Sequence, residues 1–432
     1  MRVPRPRLDV ATFQLAIAKK HVNPWLCKAI ATPPRLSHSH TTDQIPPQSC
    51  PAAAQRLDWR TMPLRTDELE YHLPESLIAC EPANPRDSAR LLVISRSDPD
   101  RLEHRTIRDL PTLLNAGDLL VRNRTWVHPA RLAAKRTDTG GKVEGLFLDQ
   151  CQQPDHWLAM LKSNGRLREG MTIEFLDANA HAPGITATLI ERINDHWRLA
   201  IESVDFDPAD ARLILDRVGA TPLPPYITRR RKDAGLRIDD SADRDWYRVI
   251  DAYESRNAHG SVAAPTAGLH FTRDLLAAID RMGVRSADIL LHVGMGTFKP
   301  IDTETVGEHP MHTERFAVEP ETIAQLRRTH AENRRIIAVG TTTARTLESL
   351  PVNLSDVEDG IESETSILIE PGHTWRHTDA LLTNFHLPRS TLLAMVAALL
   401  PGGVDRLLEC YHVAIAHNYR FYSYGDAMLI LP

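Results

Sequence analysis

The chain is short of cysteine, of long apolar runs and of net positive charge, and each shortage removes a class of function. Its five cysteines, Cys27, Cys50, Cys80, Cys151 and Cys410, are scattered without CxxC spacing. That argues against a zinc site and a disulfide framework, and it suits a reducing cytoplasm. The longest apolar stretch, residues 392–400, stops at Pro401-Gly402-Gly403 and is far too short to span a bilayer, so no membrane is expected. A formal net charge of −5 speaks against a globally cationic nucleic-acid binder. Any RNA contact must come from a local basic patch.

What is there is ordinary globular text, 42% apolar and 25% charged over 432 residues, enough for two or three domains. Residues 1–61 differ: they are rich in proline and basic residues and lack sustained periodicity. They read as a disordered extension or, with a start codon set too early, a spurious one, and Met62 is the expected working beginning. From there residues 91–94 and 119–121 are buried-type strands. Between residues 126 and 223 the period changes to short strands at 143–148, 157–161, 171–175, 185–190 and 197–201, separated by Gly, Pro, Asn or Asp turns. Such spacing indicates a small barrel. Because α/β texture lies on both sides, the expected fold is an α/β (α+β) main domain, discontinuous over residues 62–125 and 224–432, with a small β-barrel domain inserted at 126–223.

Four polar loops follow strand-like runs in the second half. The first, Pro265-Thr266-Ala267-Gly268-Leu269-His270-Phe271-Thr272, precedes a helix for which Thr272 is the expected N-cap. A strand over residues 287–293 then stops at His292-Val293-Gly294-Met295-Gly296-Thr297-Phe298, where glycine allows close backbone approach and His270 or His292 could move protons near neutral pH. In the next, Gly340 turns the chain and a threonine caps the helix. The N–H groups around Thr341 and Thr342, with Arg345 on the first turn, make an anion or hydroxyl site. Asn384-Phe385-His386 and Tyr424-Gly425-Asp426 close the set, with Ser390 as cap of the helix after the former. Each loop alone also reads as a tight turn with a hydrogen-bonded core side chain; together they would converge if their strands share one sheet. Arg229-Arg230-Arg231-Lys232 is the densest basic run, a candidate nucleic-acid contact as well as an ordinary solvated segment. His309-Pro310-Met311-His312-Thr313-Glu314 has metal-ligand residues, but the proline and the lack of a clear helix argue against a metal.

The segments AAPTAGLHFT, LHVGMGTFKP, HPMHTE, AVGTTTARTLES, LLTNFHLPRSTLL and YRFYSYGDAMLIL, with PRDSARLLV and GGKVE before them, resemble the S-adenosylmethionine:tRNA ribosyltransferase-isomerase family of queuosine biosynthesis. The resemblance runs from about Met62 to Leu431. It implies transfer of the ribosyl part of S-adenosylmethionine to 7-aminomethyl-7-deazaguanine at the tRNA wobble position. Isomerisation then gives epoxyqueuosine, and adenine and methionine leave. S-adenosylmethionine is a co-substrate, no metal or other cofactor is implied, and a cytoplasmic monomer is expected. Since a sulfonium acidifies the adjacent C5′ protons, His270 or His292 would be the base; another histidine, or Asp426 with a raised pKa, would protonate adenine, and a nearby carboxylate would stabilise charge at C1′. Phe271, Phe298 or Tyr424 would face the sulfonium. Thr266, Gly268, Gly294, Gly296, Gly340, Thr341, Thr342, Arg345, Asn384 and His386 would hold the donor. The chain departs from the family's usual Asn-Asp-Thr-Arg-like turn at residues 123–126 and from its Lys-Pro-Ser-Lys-Arg-like turn at residues 162–166, which bears on contacts of the inserted domain, tRNA among them. The competing expectations are a non-catalytic tRNA-binding paralogue and an ordinary methyltransferase; the latter lacks a GxGxxG-like loop after an early strand.

Overall fold

The structure is a computed structural model that describes residues 63–98, 100–252, 260–294 and 300–432. The expected extension at residues 1–61 and the candidate residues Gly296 and Phe298 lie outside the described residues. The chain first lays down β1 (Arg90–Ser95), β2 (Leu102–Thr106), the short α1 (Leu110–Leu113) and β3 (Leu119–Asn123). It then builds β4 (Arg131–Arg136), β5 (Lys142–Gln150), β6 (His156–Ser163), β7 (Thr172–Leu176), β8 (Ile185–Ile193) and β9 (His196–Ser203). Return is through α2 (Ala211–Val218), β10 (Gly219–Ala220), α3 (Pro225–Asp233) and α4 (Asp240–Trp246). The remainder is α5 (Arg273–Arg281), β11 (Arg285–Leu291), β12 (Glu314–Val318), α6 (Pro320–Ala331), β13 (Ile336–Val339), α7 (Thr341–Ser349), β14 (Ile361–Thr365), β15 (Ala380–Asn384), α8 (Thr391–Leu399), α9 (Gly403–Ala416) and β16 (Ala427–Leu431).

Two sheets result. The larger has the order β14-β12-β11-β3-β13-β15-β16-β1-β2. Its central strands read almost wholly apolar because both faces are covered. Leu119, Val121, Ile336, Ala338 and Leu381 join one core with α6 to α9, while Leu120, Ile337, Val339 and Leu382 join another with Leu110, Leu275 and Ile279. That split is the alternation of side chains along a strand. The second sheet runs β10-β4-β5-β6-β9-β8-β7, and β4 pairs again with β7, which closes β4 to β9 into a six-stranded antiparallel barrel. Trp157, Ala159, Ile173, Phe175, Leu199 and Ile201 point inward at every second position, and α2 adds Ile214 and Leu215 to the same core.

Strands β11, β3, β13 and β15 are mutually parallel, so Leu291, Asn123, Val339 and Asn384 all end at one edge of the large sheet. Antiparallel β16 begins there, with Ala427 opposite Asn384. The inserted barrel leaves this edge after β3, and the polar loops gather on it. Thr272 and Ser390 cap α5 and α8 as expected, accepting from the backbone of Leu275 and Leu393 at 3.2 Å each. The cap of α7 is a correction: Gly340 occupies it at φ 89° with no side-chain cap bond, a left-handed conformation that favours glycine. Among the described residues no single helix is long and apolar enough to cross a membrane.

Candidate functional site

At the shared edge lies a pocket walled by Tyr226, Pro265, Thr266, Gly340, Thr341, Thr342, Thr383, Asn384, Phe385, His386, Tyr422 and Ser423, among others. Asn384, the last residue of β15, organises it. Its Oδ1 accepts from Thr266 Oγ1 at 2.9 Å, and its Nδ2 donates to the Tyr422 carbonyl at 3.3 Å and meets His270 Nε2 at 3.2 Å. A carbonyl can only accept, so the amide orientation is fixed; His270 Nε2 must then accept, which leaves the ring proton on Nδ1. Burial, aided by Arg420 and Arg86, pulls the His270 imidazole down to about 3. Burial alone does the same to His386, again to about 3, and its Nε2 meets Thr383 Oγ1 at 2.8 Å. Both rings are neutral at physiological pH.

A second network ties the loops of β3, β11 and α7. Asn123 Nδ2 donates to the Leu291 carbonyl at 3.0 Å and to Thr342 Oγ1 at 3.3 Å. Its Oδ1 accepts from the N–H groups of Thr125 and Leu291 at 3.1 and 3.2 Å. Thr125 Oγ1 meets His292 Nδ1 at 3.2 Å. Next in the loop, Gly294 N–H donates to Glu314 Oε1 at 3.1 Å, and Glu314 Oε2 takes Nη1 of Arg345. Both partners of that ion pair are almost wholly buried, with side chains 3% and 2% exposed. Among the described residues no hydrogen-bond acceptor reaches Arg345 Nε or Nη2.

The expected site residues therefore fall into groups. Thr266, Gly340, Thr341, Thr342, Asn384 and His386 line the pocket. His270 stands directly behind Asn384, while His292, Gly294 and Arg345 belong to the adjoining network. Gly268 is a packing glycine: a Cβ there would come within 2.8 Å of Val249 Cγ1. Three expected site residues stand elsewhere. Asp426 is not aimed at the pocket; its carboxylate accepts from the backbone N–H of Arg90 at 3.0 Å and of Arg420 at 2.8 Å, tying the start of β1 to the turn before β16. Phe271 is 1% exposed and sits in the apolar layer with Leu275 and Ile279. Tyr424 packs edge-on to Tyr247 at 6.0 Å and reaches Asp243. The basic run is also divided: Arg231 is buried and grips Asp243 at 2.6 and 2.7 Å, whereas Arg229 and Lys232 on α3 are exposed.

Sequence reasoning missed Asn123, Glu314 as an ion-pair partner, and the aromatic wall made by Tyr226 and Tyr422, whose ring centroids are 4.8 Å apart. Tyr422 carries φ 72°, a conformation bulky residues avoid unless the surroundings enforce it. The nearest signal was the alternation of aromatics in Tyr419-Arg420-Phe421-Tyr422-Ser423-Tyr424.

Residues 66–430 match the family described as queuosine biosynthesis protein. A protein of Desulfitobacterium hafniense named S-adenosylmethionine:tRNA ribosyltransferase-isomerase is 43% identical over 369 residues, covering 85% of this chain and 100% of its own. One of the same name from Moorella thermoacetica is 42% identical over 370 residues, with the same coverages. The chain is also similar to the crystal structure of S-adenosylmethionine tRNA ribosyltransferase from Thermotoga maritima, at 33% identity over 84% of this chain and 100% of that one, with a TM-score of 0.44.

Proposed function

The chain belongs to the queuosine biosynthesis protein family, and on that premise we propose that it transfers and isomerises the ribosyl part of S-adenosylmethionine onto 7-aminomethyl-7-deazaguanine in the tRNA wobble position. The products are epoxyqueuosine-tRNA, adenine and methionine. The observation that carries this reading in the structure is the single rim: loops far apart in sequence meet in one pocket through Thr266, Asn384 and the Gly340-Thr341-Thr342 turn.

The chemistry needs a cation held, a carbon acid deprotonated and a purine released. Tyr226 and Tyr422 supply π faces for the sulfonium. The N–H groups at the start of α7 suit the methionine carboxylate, and Thr266 with Asn384 suits the ribose hydroxyls. His292, at the end of β11, is the base, and His386, held neutral in the pocket wall, contacts the donor. His270 is a positioning residue, since its Nε2 is occupied by Asn384. Arg229 and Lys232, on the helix whose first turn carries Tyr226, meet the RNA beside the pocket. The protein acts as a cytoplasmic monomer without metal or further cofactor.

The test is a single-turnover reaction of the protein with S-adenosylmethionine and precursor-bearing tRNA. Adenine and methionine should appear in equal amounts, matched by the mass gained by the tRNA. Absence of adenine, or transfer of labelled methyl to the tRNA, would overturn the assignment.

A further inference from the structure

The barrel carries a feature that the pocket chemistry does not use. A groove of about 680 Å³ opens between the end of β6 with its following loop and the β8–β9 hairpin. Lys162, Arg166, Arg168 and Arg192 line it, together with the acids Glu169 and Asp195. All four cations are exposed, and among the described residues none has a carboxylate within ion-pair distance. Their neighbours on the barrel behave differently. Lys135 pairs with Glu174 at 3.0 Å, Arg136 with Asp138 at 2.6 Å, and Arg198 with Glu191. Glu144 lies opposite Lys162 in register yet makes no ion pair with it, and Asp195 is engaged by His196 at 2.9 Å. In a chain of net charge −5, four unneutralised cations facing one groove form a local positive patch of the kind that exchanges condensed counterions for phosphates.

Strand direction gives the groove its place. β4 leaves the large sheet at Arg131, β5 returns and β6 runs out again, so Ser163 is at the end of the barrel away from the junction. At the near end Asp149 of β5 is ion-paired with Arg315 of β12, at 3.5 Å. Over the eight residues of β6, at about 3.3 Å each, the groove lies roughly 25 Å from that junction. A small donor bound at the rim cannot touch it, whereas an extended polyanion whose reacting nucleotide sits at the rim can.

We infer that this far groove of the barrel is a second RNA-contact surface, holding the sugar–phosphate backbone of the tRNA at a distance from the reacting base. The inference rests on the tRNA-modifying reading above. It assigns the groove to phosphates, with Lys162, Arg166 and Arg168 as the principal contacts and Arg192 beside them, its Nε held by the Asn194 carbonyl at 3.1 Å.

The experiment is direct binding of unmodified full-length tRNA to the whole chain across a salt series, so that it does not depend on turnover. Replacing Lys162, Arg166 and Arg168 together by glutamine should weaken binding by about tenfold or more and make the salt dependence shallower by about 2 to 3 in log–log slope. KM for S-adenosylmethionine should not change. The Arg166→Lys, Arg168→Lys variant should bind as the parent does, and Lys135→Gln, which removes an already paired charge, should leave affinity unchanged. An unaltered affinity and slope in the triple variant would overturn the proposal and leave the groove to an acidic protein partner; an equal loss in Lys135→Gln would also overturn it, as a mere effect of net charge. If the parent binds tRNA with a slope that the triple variant loses but releases no adenine, the reaction assignment fails and the groove stands. If adenine is released and the triple variant binds normally, the reverse holds.

Discussion

The rim of the large sheet and the far end of the barrel both gather polar side chains, but in opposite states. At the rim nearly every polar group is buried and satisfied within the chain: His270 by Asn384, Asn384 by Thr266 and Tyr422, Glu314 by Arg345. In the groove the four cations are exposed and, among the described residues, without an ion-pair partner. The difference follows from what each has to hold. A small cationic nucleoside undergoing proton transfer is served by fixed dipoles in a dry site, where they need no reorganisation and are weakly screened. A long polyanion is held by cations that trade counterions with it, which requires that they stay in water. Substitutions at the rim should therefore act on folding and turnover, and substitutions in the groove on RNA affinity and its salt dependence.

The largest expected effect tests whether the rim is as dry as this contrast requires. Arg345→Met should cost about 3–5 kcal/mol of stability, because it strands the Glu314 carboxylate in a buried place. Adding Glu314→Leu should recover part of that loss, less the Gly294 N–H contact it removes, and a double-mutant cycle by urea denaturation measures the coupling. A single variant as stable as the parent would mean that water reaches the pair and would erase the difference between the two regions. Smaller, and on turnover, is the effect of Asn384→Ala. It removes the donor to His270 and the acceptor for Thr266 while leaving the groove intact. Adenine release per turnover should fall by roughly a hundredfold to a thousandfold, comparable to losing one preorganised polar group at a reacting centre. Affinity for tRNA should stay within experimental error; a parallel loss of affinity would show that the rim and RNA binding are not separable.

How far the sequence reveals these two regions depends on whether the deciding contact is local. Periodicity identified the central strands and the barrel, because Ile336-Ile337-Ala338-Val339 and the short alternating runs around Trp157 and Phe175 express burial directly. Thr272 and Ser390 were legible as caps because the group they bind lies three residues ahead. Asp426 was not legible: its role is set by Arg90, far away in sequence, and an acid in a polar loop looks the same whether it faces substrate or backbone. Tyr422 and Tyr424 exchanged places for a similar reason. The positive φ of Tyr422, in a turn fixed by Gly425 N–H to the Tyr422 carbonyl at 2.9 Å and Asp426 N–H to the Arg420 carbonyl at 2.8 Å, decides which ring faces the pocket. The four-residue basic run read as one patch until helical periodicity turned Arg231 inward to Asp243.

The smallest effect expected at the rim is a slope against pH. Burial holds His386 at about 3, whereas in the unfolded chain an imidazole titrates near its ordinary value of about 6.5. Between those two values the unfolded state carries the extra proton. The neutral ring's contribution is therefore complete above about pH 6.5 and is lost as pH falls toward 3, by about 1.4 kcal/mol per pH unit. Carboxylates add their own acid sensitivity, so the informative quantity is the difference between the parent and His386→Gln. Glutamine can still meet Thr383 but takes up no proton in this range. Urea unfolding at successive pH values between 6.5 and 5 should show the variant's stability falling less steeply than the parent's by about that amount. Parallel curves would mean that His386 accepts a proton in place, as an exposed side chain does, and the rim would then be no drier than the surface of the barrel.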